Sequence, residues 1–216
     1  MPGVIMLIAC LLAAPPVSAQ IIDLSAGSWV DLSHDYSSET LYWPTADGFT
    51  KETVFEGHTD GGWFYTAYNI CTAEHGGTHI DAPIHFAEEG QTVDQISLDR
   101  LIANAVVIDI SEASQANPDY QATREDLEHW EAEHGQIPAG AAVLFRTGFA
   151  SRWPNADSYM GTAEKGAQAV ARLHFPGIHP EAARFLVRER GVASVGIDTP
   201  SIDYGQSQDF VTHRIL

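Results

Sequence analysis

The chain has 216 residues, 44% hydrophobic and 19% charged, which are the proportions of a folded globular domain and exclude a disordered or membrane-embedded chain. Eleven basic side chains against 29 acidic ones leave a formal charge of −18, which argues against nucleic acid or an anionic membrane as a partner. The length suits one well-cored domain, and nothing in the composition divides it.

Residues 4–14 form an apolar run too short to span a bilayer, followed by Pro15, Pro16 and the small-residue triplet Val17, Ser18, Ala19 ahead of Gln20. The pattern predicts a secretory signal peptide over 1–19, a mature domain over 20–216, and a periplasmic or secreted location. No lysine or arginine precedes the apolar run, and Leu7, Ile8, Ala9 and Cys10 offer a weaker alternative, a lipoprotein processing box. Cleavage after Ala19 leaves Cys71 as the sole cysteine, which forbids an internal disulfide; such a residue reads as a small buried hydrophobe rather than a nucleophile.

Further along, residues 29–33 (WVDLS) read as a strand and 35–44 as a loop ending in Tyr42, Trp43 and Pro44. Aromatics beside a proline suit a pocket wall or a cover for the core, and Tyr42 and Trp43 are the candidates for stacking on a substrate. Residues 63–71 alternate moderately and read as a strand whose end delivers the next segment, where catalytic groups tend to be displayed.

That segment, 75–85 (HGGTHIDAPIH), gathers three of the ten histidines and an aspartate. Neutral imidazole and carboxylate are the ligands a borderline divalent ion accepts. Gly76, Gly77, Thr78, Ile80 and Pro83 argue against a helix, so the four-residue spacing of His75 and His79 does not stack them on one helical face. In an extended chain, positions 75, 79, 81 and 85 point to one side. His79 and Asp81 are then close enough to chelate one ion, whereas His75 reaches it only if the chain bends at Gly76 and Gly77. His85, beyond Pro83, is better placed as a general acid/base than as a ligand.

Residues 105–110 (AVVIDI) are a continuous apolar run, consistent with a central strand buried on both faces, and 141–145 are a second. Between them Thr123 caps a helix that carries Leu127 and Trp130 on one side and ends near Gly135. Residues 180–190 give another amphipathic helix closed by Gly191, and 192–197 a third buried strand. The alternation predicts an α/β domain with a mixed sheet. The sequence has no GxGxxG, GxxxxGK or GxSxG stretch, so nucleotide binding and serine-hydrolase chemistry are unsupported. Surface or packing roles are expected for His34, His58, His129, His134, His174 and His179, and Asp198 either supports a ligand or caps a turn.

HGGTHIDAPIHF resembles the HxGTHxDxPxHF signature of the cyclase-like metal hydrolases, which include bacterial kynurenine formamidase and isatin hydrolase. Residues 29–44, 133–146 and 175–203 are also similar to segments of that family. The resemblance implies a single swivelling β/β/α-type domain, an oligomer, and amide hydrolysis with one or two Zn(II) or Mn(II) ions. It matches His75, His79 and Asp81 to metal ligands, His85 to the active-site histidine, and His213 to a later metal-site histidine. The family continues with a glutamate or glutamine about a dozen residues later, so the resemblance also implies a missing C-terminal segment.

The expected chemistry is attack of metal-activated water on an aryl formamide, or on a cyclic amide of the isatin type, with His85 passing a proton to the leaving nitrogen. A small aromatic amide is thus the expected partner. The rival readings are a two-histidine, one-carboxylate iron oxygenase and a non-catalytic periplasmic metal- or ligand-binding protein.

Overall fold

The computed structural model describes residues 27–216, so the signal-peptide and lipoprotein readings lie outside the described residues. The chain divides into two units, Met1–Leu32 and Ser33–Leu216. In the first, residues 27–32 carry no regular structure, and Trp29, Val30 and Leu32 are exposed. The strand expected over 29–33 is therefore not formed among the described residues.

In the second unit the strands are β1 (Thr50–His58), β2 (Phe64–Cys71), β3 (Ala105–Asp109), β4 (Gln121–Ala122), β5 (Ala142–Arg146), β6 (Gly177–Ile178) and β7 (Ser194–Ile197). The helices are α1 (Leu98–Leu101), α2 (Ser111–Ala116), α3 (Arg124–His134), α4 (Ala156–Met160), α5 (Ala167–Val170), α6 (Pro180–Phe185) and α7 (Val211–Ile215). Strands β3, β5 and β7 make a parallel sheet in the order β3-β5-β7. This corrects the reading of 105–110 as the central strand: among the described residues β5 is central and β3 is an edge, and Val107 is 49% exposed. An unbroken apolar run cannot distinguish the two, because β3 buries Ile108 as deeply as β5 buries Val143 and Phe145.

The core lies between that sheet and helices α3 and α6, and is built from Ile108, Leu127, Val143, Phe145, Ile178, Phe185 and Leu186. Each such side chain contributes roughly 1.5–3 kcal/mol on burial. Helix α3 starts as expected, with a reciprocal box in which Thr123 accepts from the Asp126 backbone N–H and Asp126 accepts from that of Thr123. Helix α6 opens on Pro180 and runs into a π-type turn that Gly191 closes at φ 60°. The Arg190 guanidinium donates to both oxygens of Glu131 at 2.6 and 2.7 Å and ties that turn to α3.

Strands β1 and β2 form a separate antiparallel pair, in register from Thr50↔Cys71 to His58↔Phe64 with an irregularity between Thr53 and Phe55. The sequence reading missed β1, whose TKETVFEGH carries polar residues at both parities. Both faces of the pair are largely exposed, and so is Cys71, against the expectation that it would be buried. The α/β reading with strands of both orientations stands, though they occupy separate sheets. No helix among the described residues is long and apolar enough to cross a membrane.

Two features position the site. The short parallel pair of β4 and β6 brings Gly177 against Asp203 and Tyr204, so close that a Cβ on Gly177 would lie 2.1 Å from the Tyr204 nitrogen. At the end of β7, Asp198 accepts from Thr147 N and Oγ1, Gly148 N and Ala150 N, and so holds the 3₁₀ turn Phe149–Arg152. Of its two expected roles, Asp198 takes the capping one, for a turn across the sheet rather than the next turn in sequence.

Candidate metal centre and its cavity

The histidine segment is bent where its glycines lie. Tyr42 bridges to Gly76, and its ring occupies the space a Gly76 side chain would need, with Cδ1 2.0 Å from an ideal Cβ. Gly77 follows at φ 58°, a conformation that favours glycine, and its N–H donates to the Leu41 carbonyl. The bend brings His75 Nδ1 to 2.6 Å from Asp81 Oδ1, while His79 Nε2 lies 3.4 Å from the same oxygen. His79 Nδ1 contacts the Gly77 carbonyl at 3.1 Å; a carbonyl only accepts, so that nitrogen carries a proton, and Nε2 faces Asp81. His85 closes the 3₁₀ turn Pro83–His85 and stacks on His75 with ring centroids 3.9 Å apart.

The fifth group comes from far along the chain. Helix α7 presents His213, whose Nε2 lies 3.6 Å from Asp81 Oδ2 and whose Nδ1 lies 2.6 Å from Asp203. Two donor triads result, His75 with His79 and Asp81, and Asp81 with His85 and His213, each with its ligand atoms within 4.8 Å of one another. Asp81 belongs to both. All five residues singled out from the sequence as metal or proton-transfer groups therefore meet, and His85 lies near enough to Asp81 to be a donor as well as a proton carrier.

The electrostatics follow from that packing. Burial, the largest single effect, pushes the Asp81 carboxyl upward, but the neighbouring His213 and His79 imidazoles and the charges of His79 and His85 outweigh it and hold the group far below the usual carboxylate range. His79 is raised, chiefly by its bond to Asp81. For His213 burial again leads and pulls downward, yet the Asp203 and Asp81 carboxylates leave it raised. His85 is lowered, first by burial and then by the charges of His75 and His213, with Asp81 opposing. The donor set fits a borderline divalent cation: imidazole nitrogens and an ionised carboxylate converge at separations close to the ~3.3–3.5 Å expected between two ligands of one tetrahedral ion.

Above these groups opens a cavity of about 330 Å³. Trp43, Phe86, Trp153, Met160 and Phe210 line it together with the histidines. Trp43 stands in the wall as expected, edge-on to Phe175 and Phe210. Tyr42 borders the cavity but is only 2% exposed, with its hydroxyl 2.5 Å from Thr72 Oγ1; it supports the histidine segment from behind rather than offering a face for stacking. Trp153, stacked on His34 at 4.2 Å, and Phe210, at φ 48°, are wall residues the sequence reading missed. Their only sequence signal is aromaticity, which core residues share. The other histidines take local roles: His174 pairs with Asp119, His134 stacks on Trp130, and His179 caps α6.

Fold and cavity together define an α/β protein with a histidine–aspartate cluster suited to a divalent cation. The chain belongs to the putative cyclase family, whose profile matches residues 30–204. Isatin hydrolase of Roseibium aggregatum is 34% identical over 173 residues, covering 76% of this chain and 62% of that protein, so the chain spans less than two thirds of that relative's length. Kynurenine formamidase of Bacillus cereus is 24% identical over 193 residues, covering 89% and 78% of the two chains. Among solved structures, isatin hydrolase A from Ralstonia solanacearum superimposes with a TM-score of 0.72 at 34% identity, covering 86% of this chain and 73% of that one.

Proposed function

We propose that this chain is a metal-dependent hydrolase that cleaves a C–N amide bond in a small aromatic substrate, an aryl formamide or a cyclic amide of the isatin type. One observation carries the reading: four histidines converge on Asp81 at the floor of an aromatic-lined cavity. His75, His79, Asp81 and His213 would hold Zn(II) or Mn(II), and the ion when bound supplies an acidified water and a polarised carbonyl. Trp43 and Trp153 hold the substrate's ring and exclude bulk water. His85, kept neutral near pH 7 by its lowered pKa, takes up a proton and returns it to the leaving nitrogen.

Both substrate types need this same core; the 34% identity to isatin hydrolases against 24% to formamidases gives the cyclic amide equal standing. An α/β fold whose donors come mostly from one segment does not support the iron-oxygenase rival, whose ligands usually sit on separate jelly-roll strands. The test is hydrolysis of N-formylkynurenine, isatin and simple cyclic imides after loading with zinc or manganese. His85→Ala should keep its cation content and lose turnover. Tight cation uptake with no hydrolysis of any of them favours the binding-protein reading.

Two further properties belong to the same proposal. The chain self-associates: the β1–β2 pair exposes Val54, Phe64, Tyr65 and Ile70, and a two-stranded hairpin is marginally stable unless something covers it. Light scattering that returns a monomer refutes this. The chain is exported, as its first 19 residues suggest, and cell fractionation that leaves it in the cytoplasm refutes that.

A further inference from the structure

We propose that Asp203 is a positioning residue that fixes the tautomer and the aim of His213, so that His213 offers Nε2, and only Nε2, to the site beside Asp81. The proposal rests on the reading that His213 faces a cation. Asp203 is 4% exposed. Its Oδ1 accepts from Thr212 N at 3.1 Å and lies 3.4 Å from Ser207 Oγ. Its Oδ2 accepts from His213 N at 3.1 Å and from His213 Nδ1 at 2.6 Å. One carboxylate therefore anchors the start of α7 and the imidazole that α7 carries.

An ionised carboxylate accepts and cannot donate, so the 2.6 Å contact places the proton on Nδ1. Nε2 is left facing the site, 3.6 Å from the Asp81 carboxylate, and in the neutral ring it is the lone pair a cation would take. That separation is too long for a direct hydrogen bond and is close to the spacing of two ligands on one cation. Two more contacts tie the backbone of Asp203 and the helix α7 to β6 from outside the site. Gly177 lets β6 approach the Asp203 backbone closely, and Thr212 Oγ1 donates to the Ile178 carbonyl at 2.6 Å. Phe210, whose left-handed backbone is unusual for a bulky residue, starts the same helix and packs against Phe86 at 5.6 Å.

The experiment uses the full chain, with nitrogen-15 histidine spectra of the cation-free protein and titration with Co(II) and Zn(II). The parent should show His213 as the Nδ1–H tautomer alone. Asp203→Asn should lose that single tautomer and bind both cations 10- to 100-fold more weakly. Thr212→Val cuts another tether of α7 and leaves the ring partner untouched, so it should keep the tautomer and bind within about threefold of the parent. An Asp203→Asn protein that keeps both tautomer and affinity overturns the proposal, as does a Thr212→Val protein that loses affinity equally. A parent that holds Nδ1–H but takes up no cation refutes the metal reading and leaves the tautomer assignment standing.

Discussion

Substitution of Gly177 by alanine tests whether β6 positions the site by close backbone approach. The added Cβ would lie 2.1 Å from Tyr204 N, 2.5 Å from the Asp203 carbonyl carbon and 2.7 Å from Tyr204 Cα. Ordinary contacts of this kind begin near 3.5 Å, so the 203–204 segment must retreat by more than about 1 Å. Backbone groups cannot turn aside as a flexible side chain would. The shift stretches two 2.9 Å bonds, Ile178 N to the Ile202 carbonyl and Gly205 N to the Phe175 carbonyl. Overpacking of this kind costs about 1–3 kcal/mol and each strained bond about 1 kcal/mol, for a sum on the order of 3 kcal/mol. At this chain length that lowers the melting temperature by roughly 6–12 °C. Gly191→Ala is the control: its φ of 60° penalises a side chain, but nothing lies within 4 Å of the added atom, so about 1 kcal/mol is expected. Calorimetry and urea midpoints of the two variants decide it. If Gly177→Ala melts within about 2 °C of the parent, or costs no more than Gly191→Ala, the close-approach reasoning is wrong.

Three other outcomes are expected. Glu131 is held below its ordinary pKa, first by the Arg190 hydrogen bonds, so its contribution to stability is present above about pH 4.3 and fades as pH falls through the lowered value; Glu131→Gln should flatten that acid limb in urea titrations between pH 5 and 2. Asp198→Ala leaves the Thr147, Gly148 and Ala150 donors without their acceptor and should cost about 3 kcal/mol by urea midpoint, against a loss near zero if the turn does not depend on it. Trp153→Ala removes a cavity wall outside the donor cluster; steady-state kinetics should show KM rising by roughly tenfold with kcat within about threefold, and the reverse pattern would place the residue in proton transfer.

What could be read in the sequence was local. The bend at Gly76 and Gly77, the shared side of His79 and Asp81, and the Thr123 cap all depend on neighbours within a few residues, and all appear as expected. What could not be read depends on pairing at a distance. Strand β1 has polar residues at both parities and exists because β2 takes its backbone bonds; β3 and β5 look alike as apolar runs, and only the sheet order makes one an edge among the described residues. In the site, His213 was reached through family resemblance rather than spacing, and Asp203 was not singled out at all, because nothing in ten residues of loop shows that its carboxylate returns to α7. Tyr42 shows the same limit: its type suited the cavity wall, but the space left by Gly76 drew its ring underneath.

The eleven-residue origin of four of the five donors bears on how a bound ion would act on folding. An unfolded chain still carries His75, His79, Asp81 and His85 within one short stretch and would keep some grip on a divalent cation. His213, 128 positions beyond His85, joins them only in the folded chain, where α7 carries it to the site. Thermal stabilisation by a bound cation would therefore report the share of affinity that His213 adds, and fall short of the total that a binding isotherm on the native state would give.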